Sequence, residues 1–384
     1  METILLGLAL FTLGAFILSC VVMWFGNRTI KFLDEIPAAA SVDYPQVSIL
    51  IPARNEEKNI AEALQSVLQL DYPSFEILII NDRSTDRTGE ILENMAHANP
   101  RIRPLHITAV PKGWLGKNHA LYRAAQAATG ELLLFTDADI VMHPATLRNA
   151  VQHLLVQQLD HLTASPALKM PGVWLNLFAG FFNMAFFMYA QPWKVKNPRS
   201  NKFIGVGAFN LIRAATYHAI GTHQAIAMRP DDDMKLGKLV KQHGGKSEFL
   251  HGTRMLGVEW YDSLHAVIQG LEKNIFAGLD YKLWPVIHGT IANLIFWVWP
   301  FIGIFLTTGP AQILNLAIVV VILLIYGNGA GLGNLPRWHG IGVPLAAMFF
   351  IFLIWNSTLK TLLNRGINWR GTFYSLTDLK ANKV

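Results

Sequence analysis

Leu132-Leu133-Leu134-Phe135-Thr136-Asp137-Ala138-Asp139-Ile140-Val141 is the stretch whose reading decides the fold. It follows Gly130 and Glu131 and ends a short apolar run in two carboxylates one residue apart. A continuous run of this length reads as a parallel strand buried on both faces. Asp137 and Asp139 then sit at its carboxyl end, where open α/β sheets bind ligands. Oxygens at alternate positions are compatible with a hard divalent cation that also holds a diphosphate. Taken alone, Asp-x-Asp also fits a solvated turn.

Outward from this strand, the preceding sequence repeats a strand, loop and helix. A Pro- and Ala-containing linker over residues 36–45 leads into a strand over 47–51, which Pro52 is expected to end. Residues 59–70 place Ile60, Ala63, Leu64, Val67 and Leu68 on one helical face. A second strand over 76–80 meets Asn81-Asp82-Arg83-Ser84-Thr85-Asp86, rich in helix-capping residues, and a helix running to about Ala98. A third strand is expected over 103–107 and a third helix over 118–128, with Ala120, Leu121, Ala124, Ala125 and Ala128 inward. The fold class is therefore α/β, a doubly wound, mostly parallel sheet.

The 384 residues leave room for a membrane part beside that domain. The hydrophobic fraction is 52% and mean hydropathy is +0.31, both high for a soluble chain. Charged residues crowd the middle, while residues 3–25 and most of 286–363 carry almost none. Cys20 is the only cysteine, so an intrachain disulfide and a Cys-based zinc site are excluded. The net charge of +6 comes without a clustered basic helix, an RNA-binding signature or finger spacing, so no nucleic-acid partner is expected. Basic residues beside membrane segments account for it.

Residues 1–26 read as an N-terminal transmembrane helix, since about 20 apolar residues cross a bilayer. Arg28 and Lys31 follow it and no basic residue precedes it, which puts Asn27 onward in the cytoplasm of a bacterial-type inner membrane. The expected organisation is a cytoplasmic catalytic domain over 45–275, membrane segments over 286–363 and a basic tail over 364–384. Within the domain, the uncharged aromatic stretch containing Trp174, Phe178, Phe181, Phe182, Phe186, Phe187 and Tyr189 reads as an interfacial helix over 173–190. A crossing there would separate Asp137 and Asp139 from the acidic cluster at 231–233. Three apolar segments follow, over 286–308, 311–326 and 341–363. Three crossings would leave the basic tail outside, so one segment is expected to be re-entrant, with the first, broken by Pro300, favoured. Gly327, Gly329, Gly331 and Gly333 read as a flexible turn and not a nucleotide loop, because they lack the required strand and helix.

Four further clusters fall where strands of this sheet should end. Pro52-Ala53-Arg54-Asn55-Glu56-Glu57 follows the first, with an acidic helix start as the plain alternative. Asp82 follows the second, where a carboxylate can accept from a base or ribose or close an Asx turn. Lys112-Gly113-Trp114-Leu115-Gly116-Lys117-Asn118 brackets a turn at a helix start with two lysines, a place suited to anionic oxygens. Arg229-Pro230-Asp231-Asp232-Asp233 leads into a helix through Leu236, Leu239 and Val240 to Gly244. Adjacent carboxylates repel, so at least one should have a raised pKa, which a general base requires.

As an ordered set, residues 51–57, 81–86, 113–120, 137–139, Gly-Val-Gly-Ala-Phe-Asn at 205–210 and Asp-Asp-Asp-Met-Lys-Leu at 231–236 resemble family 2 glycosyltransferases. That family has the GT-A fold and inverts the anomeric centre. The chain is most similar to its membrane-bound lipid enzymes of the hopanoid-associated and carotenoid types, and more distantly to ceramide glucosyltransferase. Asn368-Trp369-Arg370-Gly371-Thr372-Phe373-Tyr374 resembles the carotenoid-type ending. The resemblance implies nucleotide-sugar contacts for Pro52, Ala53, Asn55, Glu56, Asp82, Lys117 and Asp137. It further implies a divalent cation, Mg2+ or Mn2+, on Asp139 and Asp137. Counting back from Gly244 makes Asp233 the catalytic base with Asp232 beside it, and Gly207, Gln269 and Lys273 fall on the acceptor side. Processive members carry Gln-x-x-Arg-Trp, whereas this chain has Gln269-Gly270-Leu271-Glu272-Lys273, which favours transfer of a single sugar.

The resemblance thus implies a membrane-bound enzyme moving one sugar from a nucleotide sugar, a UDP-sugar first, to a lipid acceptor such as a hopanoid or carotenoid. A polyprenyl phosphate or growing polysaccharide is the alternative acceptor. A catalytically silent membrane scaffold is the alternative of another kind, and it would not need every acidic position kept.

Overall fold

The run at 132 does become a strand, and all four residues of Leu132–Phe135 are buried. The computed structural model describes residues 2–37, 43–332 and 335–384, with only the backbone of Leu332, so residues 38–42 of the linker and Gly333 lie outside the described residues. Naming Val47–Ala53 β1, Phe75–Asp82 β2, Ile102–Ile107 β3 and Leu132–Phe135 β4, the order across a seven-stranded sheet is β3-β2-β1-β4, then Asn210–Arg213, His161–Ser165 and Ser247–His251. The pairings from β3 to β4 are all parallel. Asn210–Arg213 runs antiparallel to both of its neighbours, and His161–Ser165 pairs parallel with Ser247–His251. The chain winds outward through β2 and β3 and then reverses to β4, so the switch in strand order lies between β1 and β4. That is where open α/β sheets leave a crevice.

Helices Ile60–Leu68, Thr88–Ala98 and Gly116–Ala127 supply the crossovers, each within two residues of its expected start or end. On one face of the sheet Leu50, Leu78, Ile80, Leu133, Phe135 and Ile212 pack against Ala120, Leu121, Ala124 and Ala125 of one helix and Leu236, Leu239 and Val240 of another. Pro52 does not end the first strand: β1 continues to Ala53, with Pro52 opposite Ile80 and Ala53 opposite Asn81. The Leu50 carbonyl accepts from Thr136 on the β4 side, and a residue two further on points the same way. At Pro52, however, β4 has already ended, so the missing N–H costs no ladder bond.

The chain forms two compact units. One unit, which carries the seven-stranded sheet, holds Ile30–Ala167, Pro192–Glu259 and Ala381–Val384, and the second holds the N-terminal segment to Thr29, Leu168–Gln191 and Trp260–Lys380. Among the described residues five helical segments, all but Pro192–Lys194 within the second unit, are long and apolar enough to cross a membrane: Glu2–Asn27, Gly172–Lys194, Leu283–Leu306, Gly309–Gly331 and Arg337–Leu363. Phe16, Phe181, Trp297, Ile322, Tyr326 and Val343 draw them into one apolar cluster, while Ile4, Leu18, Phe305 and Leu324 stay exposed, as a lipid-facing surface requires.

Two expectations are corrected in this unit, and the basic tail gains a structure that its charge did not suggest. Pro300 does not break its segment, because a π-turn at Leu294–Val298 precedes it and Trp299–Leu306 resumes the helix with the proline in its first turn. Gly327, Gly329 and Gly331 lie inside helix Gly309–Leu332 and form no turn; in an apolar segment backbone donors and acceptors must pair within the helix. The tail is folded: Gly366–Trp369 and Thr372–Ser375 form a hairpin, closed by Arg370 and Gly371 at φ 49° and 78°. Two consecutive positive φ values are what a type I′ hairpin turn needs.

Candidate active site

Beyond the carboxyl ends of β1 and β4 lies a cavity lined by Pro52, Lys117, Leu121, Phe135, Thr136, Asp137, Gly207, Asn210, His223, Asp232, Asp233 and Leu236. Gly207 is the hinge pin between its two acidic sides. The Asp137 N–H donates to the Gly207 carbonyl at 3.1 Å, and the Gly207 N–H donates to Asp233 Oδ2 at 2.9 Å. A Cβ on Gly207 would lie 2.6 Å from Asp137 Oδ2 and 3.5 Å from Asp233 Oδ2, so a side chain there would push into both carboxylates. One step back, a Cβ on Gly205 would sit 1.9 Å from the Asp233 carbonyl oxygen. The segment can cross the start of helix Asp232–Gln242 only as bare backbone. Thr163 secures it, donating to the Phe209 carbonyl and accepting from the Val206 N–H.

Lys117, at the start of its helix, reaches across the cavity. Its ammonium lies 3.0 Å from Asp137 Oδ1 and 3.5 Å from Asp232 Oδ1. Beside it, Asn118 is fully buried and donates to the carbonyls of Ile226 and Arg229 at 2.8 and 2.9 Å, pinning the segment that delivers the acidic triplet. Within that triplet the members differ. Arg229 forks onto both oxygens of Asp231 at 2.8 and 2.9 Å, which neutralises it. Asp232 shares Lys117, and Asp233 accepts from Gly207 and from the N–H of Met234.

Negative charge is in surplus. Burial pushes Asp232 up to about 7, helped by Asp233, Asp137 and Asp231 and opposed by Lys117. Burial, with Asp137 and Glu56 nearby, likewise pushes Asp139 up to about 7. Asp233 is raised too, first by burial. Lys117 moves upward: burial disfavours its charge, but Asp137, Asp232 and Asp233 outweigh that. Carboxylates held up in this way favour a cation. Among the described residues no three His, Cys, Asp or Glu converge as a ready-made metal cage. Two carboxylates with only oxygen donors nonetheless fit Mg2+ or Mn2+, which are commonly completed by substrate phosphates and water.

The sequence matches the profile of Glycosyl transferase family 2 over residues 48–217. That span takes in β1 to β4 and the Gly205–Asn210 segment. The chain is 21% identical over 345 residues to the 4,4'-diaponeurosporenoate glycosyltransferase of Staphylococcus aureus, covering 87% of this chain and 90% of that protein. It is 29% identical over 173 residues to the beta-monoglucosyldiacylglycerol synthase of Synechocystis, covering 44% of this chain and 36% of that one. Residues 48–217 thus carry a Glycosyl transferase family 2 domain. The chain is a glycosyltransferase. Its fold matches the mannosyltransferase of Pyrobaculum calidifontis, solved in complex with GDP-Man and Mn2+, with a TM-score of 0.56 at 19% identity over 94% of this chain and 99% of that one.

Within this family 2 domain, Pro52, Lys117, Asp137, Gly207, Asp232 and Asp233 meet at one cavity. Ala53 is buried at the end of β1. Asn55, at φ 56°, accepts from the Thr85 N–H at 2.8 Å and so ties the loop after β1 to the loop after β2. Glu56 donates its N–H to Thr88 Oγ1, and its charge is felt at Asp139. Asp82 is held by Arg83 at 2.7 Å and Arg54 at 3.8 Å, with Gly116 pressed so close that a Cβ would lie 2.4 Å from its carboxylate. Gln269 and Lys273 are not among the lining residues; both lie on helix Leu264–Gly278 of the other unit, where the Lys273 ammonium stands 4.9 Å from the centre of the Trp369 ring. Sequence reasoning quoted Asn118, Asn210 and Arg229 only as members of motifs, with no role of their own, and passed over His223.

Proposed function

We propose that this protein is a membrane-bound inverting glycosyltransferase that moves a single sugar from a nucleotide sugar, a UDP-sugar first, to a lipid acceptor. The observation that carries the reading is the bridge at Gly207, whose backbone joins Asp137 on one side to Asp233 on the other. Donor-side and acceptor-side carboxylates are thereby held at one crevice although they are distant in sequence. The names of the relatives, one acting on a carotenoid acid and one making a glucosylated diacylglycerol, favour a lipid acceptor. The apolar segments other than Gly172–Lys194 favour a multi-pass protein, and Arg28 with Lys31 favours a cytoplasmic domain over 45–275. Helix Gly172–Ala190 then rests in the interface, so that both acidic sites face one side of the membrane.

In this reading Glu56 and Asp82 bind the nucleoside side of the donor, and Lys117 lies beside the transferred sugar. A divalent cation on Asp139 and Asp137 would neutralise the charge that develops on the departing nucleoside diphosphate. Asp233 takes the proton of the acceptor hydroxyl as that oxygen attacks C1 from the face opposite the leaving group. The bond from C1 to the acceptor oxygen forms, the bond from C1 to the diphosphate oxygen breaks, and an α-linked donor yields a β-glycoside. Asp232 and Lys117 keep a balanced pair beside the base.

The test is direct. Purified protein with labelled UDP-glucose and total membrane lipid should give an organic-soluble product carrying one sugar, and chelation of divalent cations should stop it. A long water-soluble polymer as the only product overturns the lipid reading. An unchanged in vivo glycolipid pattern in inserted Asp139→Ala protein would favour a silent scaffold.

A further inference from the structure

One titratable side chain in the cavity wall has no part in the reaction as drawn above. His223 sits on the short turn Thr222–Gln224, is 1% exposed and lines the cavity with Lys117, Asp232 and Asp233. Its ring is fixed from two directions. Phe135 meets it at 4.8 Å between ring centres and 63° between planes. The fully buried Tyr217 hydroxyl lies 2.7 Å from Nδ1 and also accepts the backbone N–H of His223 at 3.0 Å. A phenol has one proton to give. Placed toward Nδ1, that proton makes Nδ1 the acceptor and puts the imidazole hydrogen on Nε2, the nitrogen remote from Tyr217; the Thr222 side chain is the phenol's other neighbour.

The ring is also kept neutral. Burial pushes its pKa down to about 3, and the Lys117 ammonium adds to this. A second positive charge beside Lys117 is thus disfavoured, while a neutral N–H is not. A neutral imidazole held in one tautomer serves as a hydrogen-bond donor and cannot act as an acid at physiological pH. The neighbouring groups decide what it can donate to. In the proposed reading the diphosphate would lie with a cation held by Asp139 and Asp137, which leaves the wall formed by Lys117, Asp232 and His223, one ammonium, one carboxylate and one N–H, to face the sugar.

We propose that His223 is a substrate-contacting, specificity-determining residue whose Nε2–H donates to a hydroxyl oxygen of the donor sugar. The inference rests on the reading of this cavity as the nucleotide-sugar site. It adds a sugar contact that the acidic motifs do not supply, and it gives Tyr217 a role as a positioning residue that sets the tautomer.

The experiment compares the full-length protein in lipid nanodiscs with UDP-glucose and its four mono-deoxyglucose analogues, using wild type, His223→Phe, His223→Gln and Tyr217→Phe. Thermal midpoints are recorded for each, so that a folding defect is seen as such. Wild type should discriminate against one deoxy donor. His223→Phe should lose about 10²-fold in kcat/KM with UDP-glucose and treat that same deoxy donor no worse than the parent sugar. His223→Gln, which keeps an N–H, should stay within about tenfold of wild type, and Tyr217→Phe should fall between the two. The proposal is overturned if His223→Phe keeps the wild-type discrimination, or if Gln and Phe lose equally at matched thermal midpoints. Donor-binding isotherms of Asp233→Asn separate the two readings: an active Asp233→Asn removes the base assignment, while loss of deoxy discrimination in binding to His223→Phe still reports on His223 alone.

Discussion

The catalytic unit, which carries the sheet, and the membrane unit both hold glycines where a Cβ would not fit, and Gly205 and Gly180 do so against neighbours of different stiffness. In the catalytic unit, Gly205 lies against the backbone carbonyl of Asp233, and Gly207 lies between two carboxylates that the same backbone positions. In the membrane unit, a Cβ on Gly180 would come within 2.3 Å of the Tyr326 hydroxyl, the far end of a side chain. Polar groups differ in degree, since Asn118 Oδ1 and Ser165 Oγ of the catalytic unit also lack a protein partner. His161 in the catalytic unit is bonded on both ring nitrogens, to Ser247 and Asn210. The buried Tyr326 hydroxyl and Asn315 Oδ1 of the membrane unit have no protein partner. The difference teaches where precision is needed: the carboxylates of the crevice are over-determined, whereas the apolar bundle is held by packing and has slack.

Graded substitutions test that contrast. Gly205→Ala should be the most damaging, because neither the Asp233 carbonyl nor the crossing segment can step aside. We expect a loss of about 3 kcal/mol in unfolding free energy together with loss of transfer, measured by denaturant unfolding and by product formation. An unchanged unfolding midpoint would mean that the crossing is looser than described.

Acid should act next, through His161. Burial holds this imidazole down at about 4 against an ordinary 6.5. As pH falls below 6.5 the unfolded chain takes up the proton first, so stability is present above that pH, declines toward pH 4 and is flat below. The full span is roughly 3 kcal/mol, and His161→Gln should flatten this part of the stability profile. Asp139 and Asp232, held up to about 7, and His223 and His251, held down, contribute to both profiles. The test is therefore the difference between wild type and His161→Gln, and a difference that does not change between pH 6.5 and 4 would contradict it.

Smaller effects are expected where the neighbour can move. Gly180→Ala should cost about 1 to 2 kcal/mol, and adding Tyr326→Phe should recover part of it by removing the hydroxyl it strikes. Gly207→Ala should change stability least, by roughly 0.5 kcal/mol, since carboxylate tips can rotate. Its transfer rate should nevertheless fall about tenfold, because rotating them is what the site must avoid. Equal stability losses at Gly205 and Gly207 would erase the distinction between backbone and side-chain neighbours.

Most of the sheet was legible because its strands announce themselves by burial on both faces. The runs at 47–51, 76–80 and 132–135 could hardly be anything but central parallel strands, and the order of the acidic clusters after them located the crevice. Pro52 misled because its cost depends on where β4 ends, which is a matter of pairing and not of local propensity. The glycines at 327, 329 and 331 misled for a similar reason: their weak helix propensity is overridden where no water can satisfy an open backbone. The hairpin at Arg370-Gly371 was missed because Arg is not a usual residue for its first left-handed position. His223 left no trace, since it becomes a cavity residue only through Phe135 and Tyr217, contacts that no spacing rule expresses.

Asp233→Asn tests the central claim most directly. The substitution preserves shape while removing the proton acceptor, so transfer from labelled UDP-glucose to membrane lipid should fall by about 10² to 10⁴-fold, with binding of UDP retained and the protein still folded and inserted. Transfer at the wild-type rate by folded, inserted Asp233→Asn would contradict the account.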